Sequence, residues 1–422
     1  MTAATPSTWM LDRHAGKAGW RRVLLALLVL GTAAFGGFLM WTVLGSDGFK
    51  ATEVVFFAIF VVMFAWIAIS FWSGFFGFVL GVLRLHPLSL RRAAPADGPI
   101  PELHERTAIL MPVYNEDPAD VFARLEANYR SLEATGRLAS FDFFVLSDTR
   151  DAEIAREEGL AWSQARETLQ AGDRLFYRRR ENNAGKKAGN IAEWVQTRGA
   201  DYAHMIILDA DSTMQGDALV RLAALMEASP RTGIIQTHIV PAGRETLFAR
   251  ALQFSTRVTG AVLAVGHSFW QLGEANYYGH NAILRVAAFA QSCRLPVLSG
   301  KPPLGGHILS HDQVEAAMMR AGGWDVRVIA DEFESWEENP PSLPDFIKRD
   351  LRWCQGNMQY LRLIGRLGLK PMGRFQLVNA VFMYLGAPFW VLMLAAGLAG
   401  ALRPASSTAG GPYPGGLAFA LY

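Results

Sequence analysis

Three long stretches of hydrophobic residues without a charge flank a middle region of mixed polar and apolar character. They are Val23 to Leu44, Val54 to Leu83 and Gln376 to Leu402. A helix needs about 20 apolar residues to cross a bilayer, and each stretch reaches that length. We therefore predict three transmembrane helices. A signal peptide is the alternative for the first stretch, but a second hydrophobic stretch follows it closely, and it is longer than a typical signal-peptide core.

Basic residues are concentrated at the outer ends of the first two stretches, and the loop between the stretches holds only one lysine. They precede the first stretch and follow the second, at Arg13, Lys17, Arg21, Arg22, Arg84, Arg91 and Arg92. By the positive-inside rule, residues 1–22 and the middle region are cytoplasmic. We expect two spans within 23–83, a catalytic domain over 100–372, a third span over 376–402 and an external loop from 403. Residues 416–422 resemble the start of a further span, so we expect a truncated, multi-pass membrane protein.

The middle region combines short apolar runs with helical segments, which predicts an α/β domain. The predicted strands are Thr107 to Val113, Phe141 to Ser147, Leu175 to Arg179, His204 to Leu208 and Gly233 to His238. The predicted helices between them are Pro118 to Glu133, Asp151 to Leu169, Gly189 to Thr197 and Asp217 to Ala228. This alternation predicts a mostly parallel sheet with helices on both faces, and ligands bind such sheets beyond the carboxyl ends of the strands.

Two further segments, Thr246 to Trp270 and Pro344 to Leu367, are long and amphipathic. We predict that they lie at the membrane interface, and burial within the domain is the alternative.

The formal net charge of +2 shows no excess of basic residues and argues against nucleic-acid binding. The two cysteines are too few for a zinc site or a disulfide framework.

Polar and charged residues occupy four consecutive predicted strand ends, at Glu116, Asp148, Lys187 and the Asp209/Asp211 pair. Any one of these carboxylates alone is as readily a helix cap, but the set predicts one ligand site. Two carboxylates two residues apart suit Mg²⁺ or Mn²⁺, and Mg²⁺ commonly takes substrate phosphates as its other ligands. Lys187 lies near two glycines and would add a positive charge. The pattern therefore predicts a site for a nucleoside diphosphate.

The order of six motifs resembles that of family-2 glycosyltransferases, which include cellulose and hyaluronan synthases. These motifs are Pro112-Val-Tyr-Asn-Glu116, Asp148, Lys187-Ala-Gly-Asn190, Asp209-Ala-Asp211, Ser310-His-Asp312 and Arg349-Asp-Leu-Arg-Trp353. Other stretches are similar to the branch that builds osmoregulated periplasmic glucans: Phe143 to Thr149, Phe176 to Arg180, Gln271 to Glu274, Tyr278 to Asn281 and Arg352 to Asn357. The resemblance covers the chain from Arg106 onward.

This resemblance implies a GT-A (Rossmann-like) fold and an inverting, processive transfer from UDP-glucose at the bacterial inner membrane. It implies a β-linked product, with β-1,2 linkages, and acyl carrier protein as a partner besides the growing glucan and membrane lipids. It also assigns roles at the donor site. Tyr114, Glu116 and Asp148 would hold the uracil and ribose, Lys187 the pyrophosphate, and Asp209 and Asp211 the sugar nucleotide and metal.

On the acceptor side, the resemblance makes Asp312 the general base, because a sugar hydroxyl must lose its proton as it attacks. His311 is the rival base, since its ordinary pKa is nearer neutral. Arg352 and Trp353 match the end of the Q-x-x-R-W motif. Two departures argue against a cellulose product: Arg349 stands where Gln is usual, and Ser-His precedes the base where Thr-Glu is usual.

Several residues near the motifs are candidates for sugar contact. His280 and Asn281 follow a glycine and are candidates for binding the acceptor's terminal sugar. Aromatic rings pack on sugar faces, and the nearby aromatic residues are Trp270, Tyr277, Tyr278, Trp336 and Trp353. Packing in the core is the alternative for each ring.

Three rival functions stay open: sugar transfer to a lipid carrier, a cellulose-like β-1,4 synthase, and a transporter or receptor with a nucleotide-sensing domain.

Overall fold

The computed structural model describes residues 18–45, 50–83, 99–366 and 368–401. The predicted external loop and further span at 402–422 lie outside these residues. Most of the basic residues used to predict the orientation also lie outside them. Three described helices are long and apolar enough to cross a membrane: Gly19–Leu44, Ala51–Val82 and Pro371–Gly400. They correspond to the three hydrophobic stretches of the sequence.

The described helices, in chain order, are α1 Ala18–Leu44, α2 Ala51–Val82, α3 Pro118–Glu133, α4 Ala152–Thr168, α5 Lys186–Thr197, α6 Gly216–Glu227, α7 Leu247–Gln271, α8 Val286–Ser292, α9 Asp312–Ala321, α10 Leu343–Gln359 and α11 Pro371–Ala401. The strands are β1 Thr107–Val113, β2 Phe141–Ser147, β3 Leu175–Arg179, β4 His204–Ile207, β5 Thr213–Met214, β6 Thr232–Ala242, β7 Ala282–Arg285 and β8 Asp325–Glu338. Short 3₁₀ turns complete the pattern.

The eight strands form one sheet in the order β3-β2-β1-β4-β7-β6-β8-β5. Strands β3, β2, β1 and β4 are parallel, as predicted. Strand β7 runs antiparallel to both of its neighbours, and β5 runs antiparallel to β8. Six of the eight described strands run in the same direction, so the sheet is mostly parallel, as predicted. The two strands that run against the others, β5 and β7, were not predicted from the sequence, and neither was β8, which pairs parallel with β6.

Alternating side chains of the central strands divide the core into two layers. Ile109 of β1 faces one layer, where it belongs to the same buried cluster as Leu125 of α3 and Leu222 of α6. Leu110 faces the other layer, with Trp194 of α5 and residues from α8 and α9. Successive side chains of a strand point to opposite faces, so the all-apolar run of β1 fits a sheet that is buried on both sides.

Helix α7 packs closely against the apolar helix α2. A Cβ atom added to Gly77 would lie 1.8 Å from the carbonyl oxygen of Val262, and one added to Gly266 would lie 1.7 Å from that of Ser73. The two backbones therefore meet where neither helix carries a side chain. The outer surface of α7 and α10 is apolar and exposed, at Leu247, Phe254, Val258, Leu343, Ile347 and Leu351.

Candidate active site

Lys187 and Asp209 lie at the centre of a group of charged side chains, the recess, at the carboxyl ends of the parallel strands. Lys187 lies in the first turn of α5, just after Gly185, whose φ of +71° is the left-handed conformation that glycine adopts without strain. Its Nζ contacts Oδ1 of Asp209 and donates a hydrogen bond of 2.9 Å to the carbonyl oxygen of Gly279. The turn at Gly279 is thereby tied to the strand end that carries Asp209.

The two carboxylates of the Asp209/Asp211 pair differ in electrostatic environment. Burial opposes the charge of Asp209, but the neighbouring Lys187 and His280 outweigh it and lower the pKa of Asp209. Burial, Asp209 and Glu337 together raise the pKa of Asp211 to about 6. Asp211 thus lies in a strongly negative environment, which a cation would relieve.

That environment fits a divalent cation held jointly by protein and ligand. The described residues contain no group of three or more His, Cys, Asp or Glu side chains arranged to hold a metal ion. Asp209 and Asp211 supply hard oxygen ligands, and Mg²⁺ commonly binds one or two carboxylates and takes its other ligands from phosphate and water. The residues present therefore fit a metal that binds together with a phosphorylated ligand.

We expect Asp211→Asn to stabilise the protein when ligand and metal are absent. The pKa of Asp211 is raised on folding, so its stabilising contribution is complete below about pH 4 and is lost as the pH rises through 6. Asparagine removes that penalty, which is about 1–3 kcal/mol of the free energy of unfolding. In thermal unfolding with EDTA, the variant should gain about 3–6 °C at pH 8 and little at pH 4.5. An equal gain at both pH values would contradict this electrostatic account.

His280 and Asn281 occupy the turn that crosses the recess, but they differ in exposure. His280 Nε2 lies 3.2 Å from a carboxylate oxygen of Glu337, and its Nδ1 lies 3.3 Å from Oγ of Ser212. The Asn281 side chain is fully buried and donates a 2.8 Å hydrogen bond to Oγ of Ser335. Contact between Asn281 and an acceptor sugar stays a prediction, and the observed bonds favour a part in fixing the turn.

Asp312 begins helix α9 and lies beside the Gly279 turn, which Lys187 also contacts. A Cβ atom at Gly279 would lie 3.5 Å from the Cβ of Asp312 and 3.8 Å from Nζ of Lys187. The preceding residue, His311, is buried, with Nδ1 3.0 Å from Oε2 of Glu315. Burial lowers the pKa of His311, but the Glu315 carboxylate outweighs it and raises the pKa overall. The raised pKa favours the protonated form of His311, which accepts no proton, so this environment favours Asp312 as the base.

The remaining predicted donor residues lie at the ends of β1 and β2. Tyr114 is about half exposed, and its backbone N–H donates to the carboxylate of Glu116. Burial is the largest cause of the raised pKa of Glu116, and the charge of Asp209 adds to it. Glu116 therefore belongs to the same charged recess as the Asp209 carboxylate.

Arg180 is a charged partner that the sequence prediction missed. Its Nε and Nη2 each donate a 2.7 Å hydrogen bond to one carboxylate oxygen of the buried Asp148. A two-point guanidinium–carboxylate pair is rigid and charge-assisted. Arg180 therefore holds the Asp148 carboxylate in a fixed position. Glu337, beside His280, was missed in the same way.

Helix α10 carries the motif predicted for the acceptor side. The guanidinium of Arg349 lies 4.5 Å from the ring centroid of Trp353, which is 42 % exposed. Arg352 on the same helix is exposed. Among the other candidate rings, Tyr278 is exposed, whereas Trp270 and Tyr277 are buried in the core. For Trp270 and Tyr277 the packing alternative therefore fits the structure better than sugar contact.

Two sequence profiles match this chain. The profile of the glycosyl transferase family group 2 matches residues 204–422, more than half of the chain. The chain belongs to this family. The profile of glycosyl transferase family 2 matches residues 108–292 of the same glycosyltransferase. The resemblance read from the motifs is thereby confirmed at the level of the family.

Curated relatives align with this chain over most of its length. Glucans biosynthesis glucosyltransferase H of Xanthomonas campestris pv. campestris (strain B100) is 45 % identical over 380 residues, which are 90 % of this chain and 58 % of the relative. The protein of that name from Bradyrhizobium diazoefficiens is 46 % identical over 88 % of this chain and 50 % of the relative. The glycosyltransferase chain thus spans about half of the length of these relatives.

A solved structure has the same fold. The mannosyltransferase PcManGT from Pyrobaculum calidifontis, solved in complex with GDP-Man and Mn²⁺, aligns with a TM-score of 0.52 and 20 % sequence identity. The alignment covers 86 % of this chain and 92 % of that one. At this identity the likeness bears on the fold alone. It confirms the predicted GT-A fold for the glycosyltransferase described above.

Proposed function

We propose that this protein is an inverting, processive glucosyltransferase that uses UDP-glucose to build the β-1,2-linked backbone of osmoregulated periplasmic glucans. The observation that carries the proposal is that Asp312 and Lys187, which contacts Asp209, both lie within 4 Å of the Cβ position of Gly279, so the predicted donor and acceptor groups meet at one turn. The name shared by relatives that are about 45 % identical supports glucose as the sugar and a glucan as the product.

The donor binds along the ends of the parallel strands. Tyr114, Glu116 and Asp148 contact the uracil and ribose, with Asp148 held in place by Arg180. Lys187 meets the pyrophosphate, because its ammonium lies beside the Asp209 carboxylate at the start of α5. The amino-terminal end of a helix is itself favourable for phosphate, which strengthens this placement.

The acceptor attacks the donor from the Asp312 side of the recess. The acceptor hydroxyl oxygen bonds to C1 of glucose while the bond from C1 to the UDP oxygen breaks. The proton of the hydroxyl passes to the Asp312 carboxylate, and the electron pair of the broken bond leaves with UDP. Attack opposite the departing group inverts the α-glucosyl donor to a β-linkage. Lys187 stabilises the negative charge that develops on the leaving diphosphate.

Asp209 and Asp211 would hold a divalent cation, Mg²⁺ or Mn²⁺, together with the donor phosphates. Such a cation would neutralise charge on the diphosphate and make it a better leaving group. The raised pKa of Asp211, which burial, Asp209 and Glu337 cause, is consistent with a carboxylate pair that awaits a cation.

The acceptor glucan meets the donor along α10. The exposed ring of Trp353, backed by the guanidinium of Arg349, offers a flat apolar face for a sugar. Arg352 offers hydrogen-bond donors on the same helix, and His280 lies across the recess beside Glu337. A polymer that stays bound between successive additions needs such an extended acceptor surface.

We propose that the catalytic domain over 100–372 faces the cytoplasm and that α1, α2 and α11 span the inner membrane. The apolar outer surface of α7 and α10 is continuous with α2 and would rest in the membrane interface. The partners are UDP-glucose, the growing glucan and membrane lipids, with acyl carrier protein implied by the family resemblance.

Two measurements test the donor and the stereochemistry. Titration calorimetry of the purified protein with Mg²⁺ should give an affinity for UDP at least about tenfold above that for GDP, a difference of about 1.4 kcal/mol. Nuclear magnetic resonance of the fresh product should show β anomeric signals. Equal affinity for both nucleotides would contradict the proposed donor, and α signals would contradict inversion.

A further inference from the structure

The arginines at the start of the first membrane helix cap the end of α7. The last carbonyl groups of a helix have no partner inside the helix and carry partial negative charge. Arg21 donates a 2.9 Å hydrogen bond to the carbonyl oxygen of Phe269. Arg22 donates 3.0 Å bonds to those of Trp270 and Gln271. Residues that the sequence marks as a topology signal thus also make specific contacts with the catalytic domain.

Glu274 is the point at which the membrane helices and the catalytic domain converge. Its carboxylate forms an ion pair with Arg22 of α1. Its backbone carbonyl oxygen accepts 2.8 Å hydrogen bonds from Arg320 of α9 and from Gln376 of α11. The next residue, Ala275, donates a 2.9 Å bond to the carbonyl oxygen of Val326 in β8. Four elements therefore fix one short segment.

Both connections from Glu274 to the recess are short and constrained. Gly279 follows Glu274 by five residues, and between them Tyr278 donates a 2.8 Å backbone hydrogen bond to the Gln236 side chain. Arg320 and Asp312 belong to the same helix, about 12 Å apart along its axis. A shift at Glu274 would therefore move the Gly279 turn and the candidate base relative to each other.

We infer that Arg22 and Glu274 are positioning residues that couple the docking of the first membrane span to the alignment of the Gly279 turn with Asp312. Neither residue touches the donor in this account, because the donor binds at the ends of β1, β2 and β4. The pair is partly buried, with side-chain exposures of 27 % and 23 %. Removing either member leaves a partly desolvated charge without its partner, which loosens the segment that both charges hold.

The coupling is tested by hydrogen–deuterium exchange and by kinetics on Arg22→Gln, Glu274→Gln and the double variant in membranes. Exchange in residues 272–281 should be at least about tenfold faster in each single variant, while β1 and β2 keep their protection. Each single variant should lower kcat about fivefold to twentyfold, with KM for UDP-glucose and the affinity for UDP within about twofold. The double variant should resemble Arg22→Gln, since that change already removes the ion pair that Glu274→Gln removes.

The control is Lys50→Gln, which removes one charge of the Lys50–Glu53 pair at the start of α2. It should change neither exchange in 272–281 nor kcat. The predicted loss of kcat rests on the proposed glucosyl transfer, whereas the predicted change in hydrogen–deuterium exchange does not. A failure of the proposed function is therefore distinguishable from a failure of this inference. Unchanged exchange in Arg22→Gln would overturn the inference. Losses of kcat that multiply in the double variant would overturn it as well.

Discussion

Replacing Asp312 with asparagine is expected to lower glucosyl transfer about 10²–10⁴-fold, which is the usual contribution of a positioned general base. Asparagine has nearly the same shape but accepts no proton from the attacking hydroxyl. The affinity for UDP should stay within about twofold, because in the proposed mechanism Asp312 contacts the acceptor hydroxyl and not the diphosphate. Initial rates with radiolabelled UDP-glucose and calorimetry with UDP, on the same preparation, measure the two quantities.

Two further variants make this test specific. Asp217→Asn serves as the matched control, because Asp217 also lies in the first turn of a helix but pairs with Arg221 away from the recess. It should retain wild-type transfer. His311→Gln removes the rival base and should lose far less activity than Asp312→Asn. A larger loss in His311→Gln, or a parallel loss of UDP affinity in Asp312→Asn, would move the role of the base away from Asp312.

Replacing Asp211 with asparagine is expected to abolish the effect of Mg²⁺ on UDP binding. In the wild-type protein, the cation should tighten UDP binding at least about tenfold, since it joins the two carboxylates to the diphosphate. The variant should bind UDP with the weaker affinity that the wild-type protein shows in EDTA. The same variant should be the more heat-stable protein without ligand, so a general loss of folding cannot mimic the result.

Asp201→Asn is the matched control for the metal experiment. Asp201 lies near the opposite end of β4 and pairs with Arg198, 3.5 Å away. The control variant should respond to Mg²⁺ as the wild-type protein does. A metal-dependent gain in affinity that survives in Asp211→Asn would contradict the assignment of Asp211 as a metal ligand.

The parts of the fold that could be predicted from sequence are those whose pattern is local. The apolar runs of β1 and β2 are long and uninterrupted, so their predicted bounds are confirmed to the residue. Strand β8 was missed because its second half is rich in acidic residues, which hide the alternation of Val326 and Val328. Strand β7 has only four residues, and its pairing with β4 and β6 depends on the whole sheet.

The residues of the candidate site also fall into those that the sequence pattern predicts and those that it does not. The strand-end positions of Lys187 and Asp209 follow from the order of strands in a parallel sheet, and the structure brings these two side chains into contact. Arg180 and Glu337 could not be found in this way, because their partners Asp148 and His280 are distant in sequence. The burial of Asn281 likewise depends on Ser335 of β8, a strand that the sequence pattern did not reveal.

The central claim is tested most directly by incubating membranes that contain the full-length protein with radiolabelled UDP-glucose and Mg²⁺. We expect label in a water-soluble glucan whose linkage analysis gives β-1,2 bonds, and at least about a hundredfold less label when the protein carries Asp312→Asn. Label that is extracted with lipids would indicate transfer to a lipid carrier, and β-1,4 bonds would indicate a cellulose-like synthase. No incorporation into any product would contradict the account of this protein as a glucan-building glucosyltransferase.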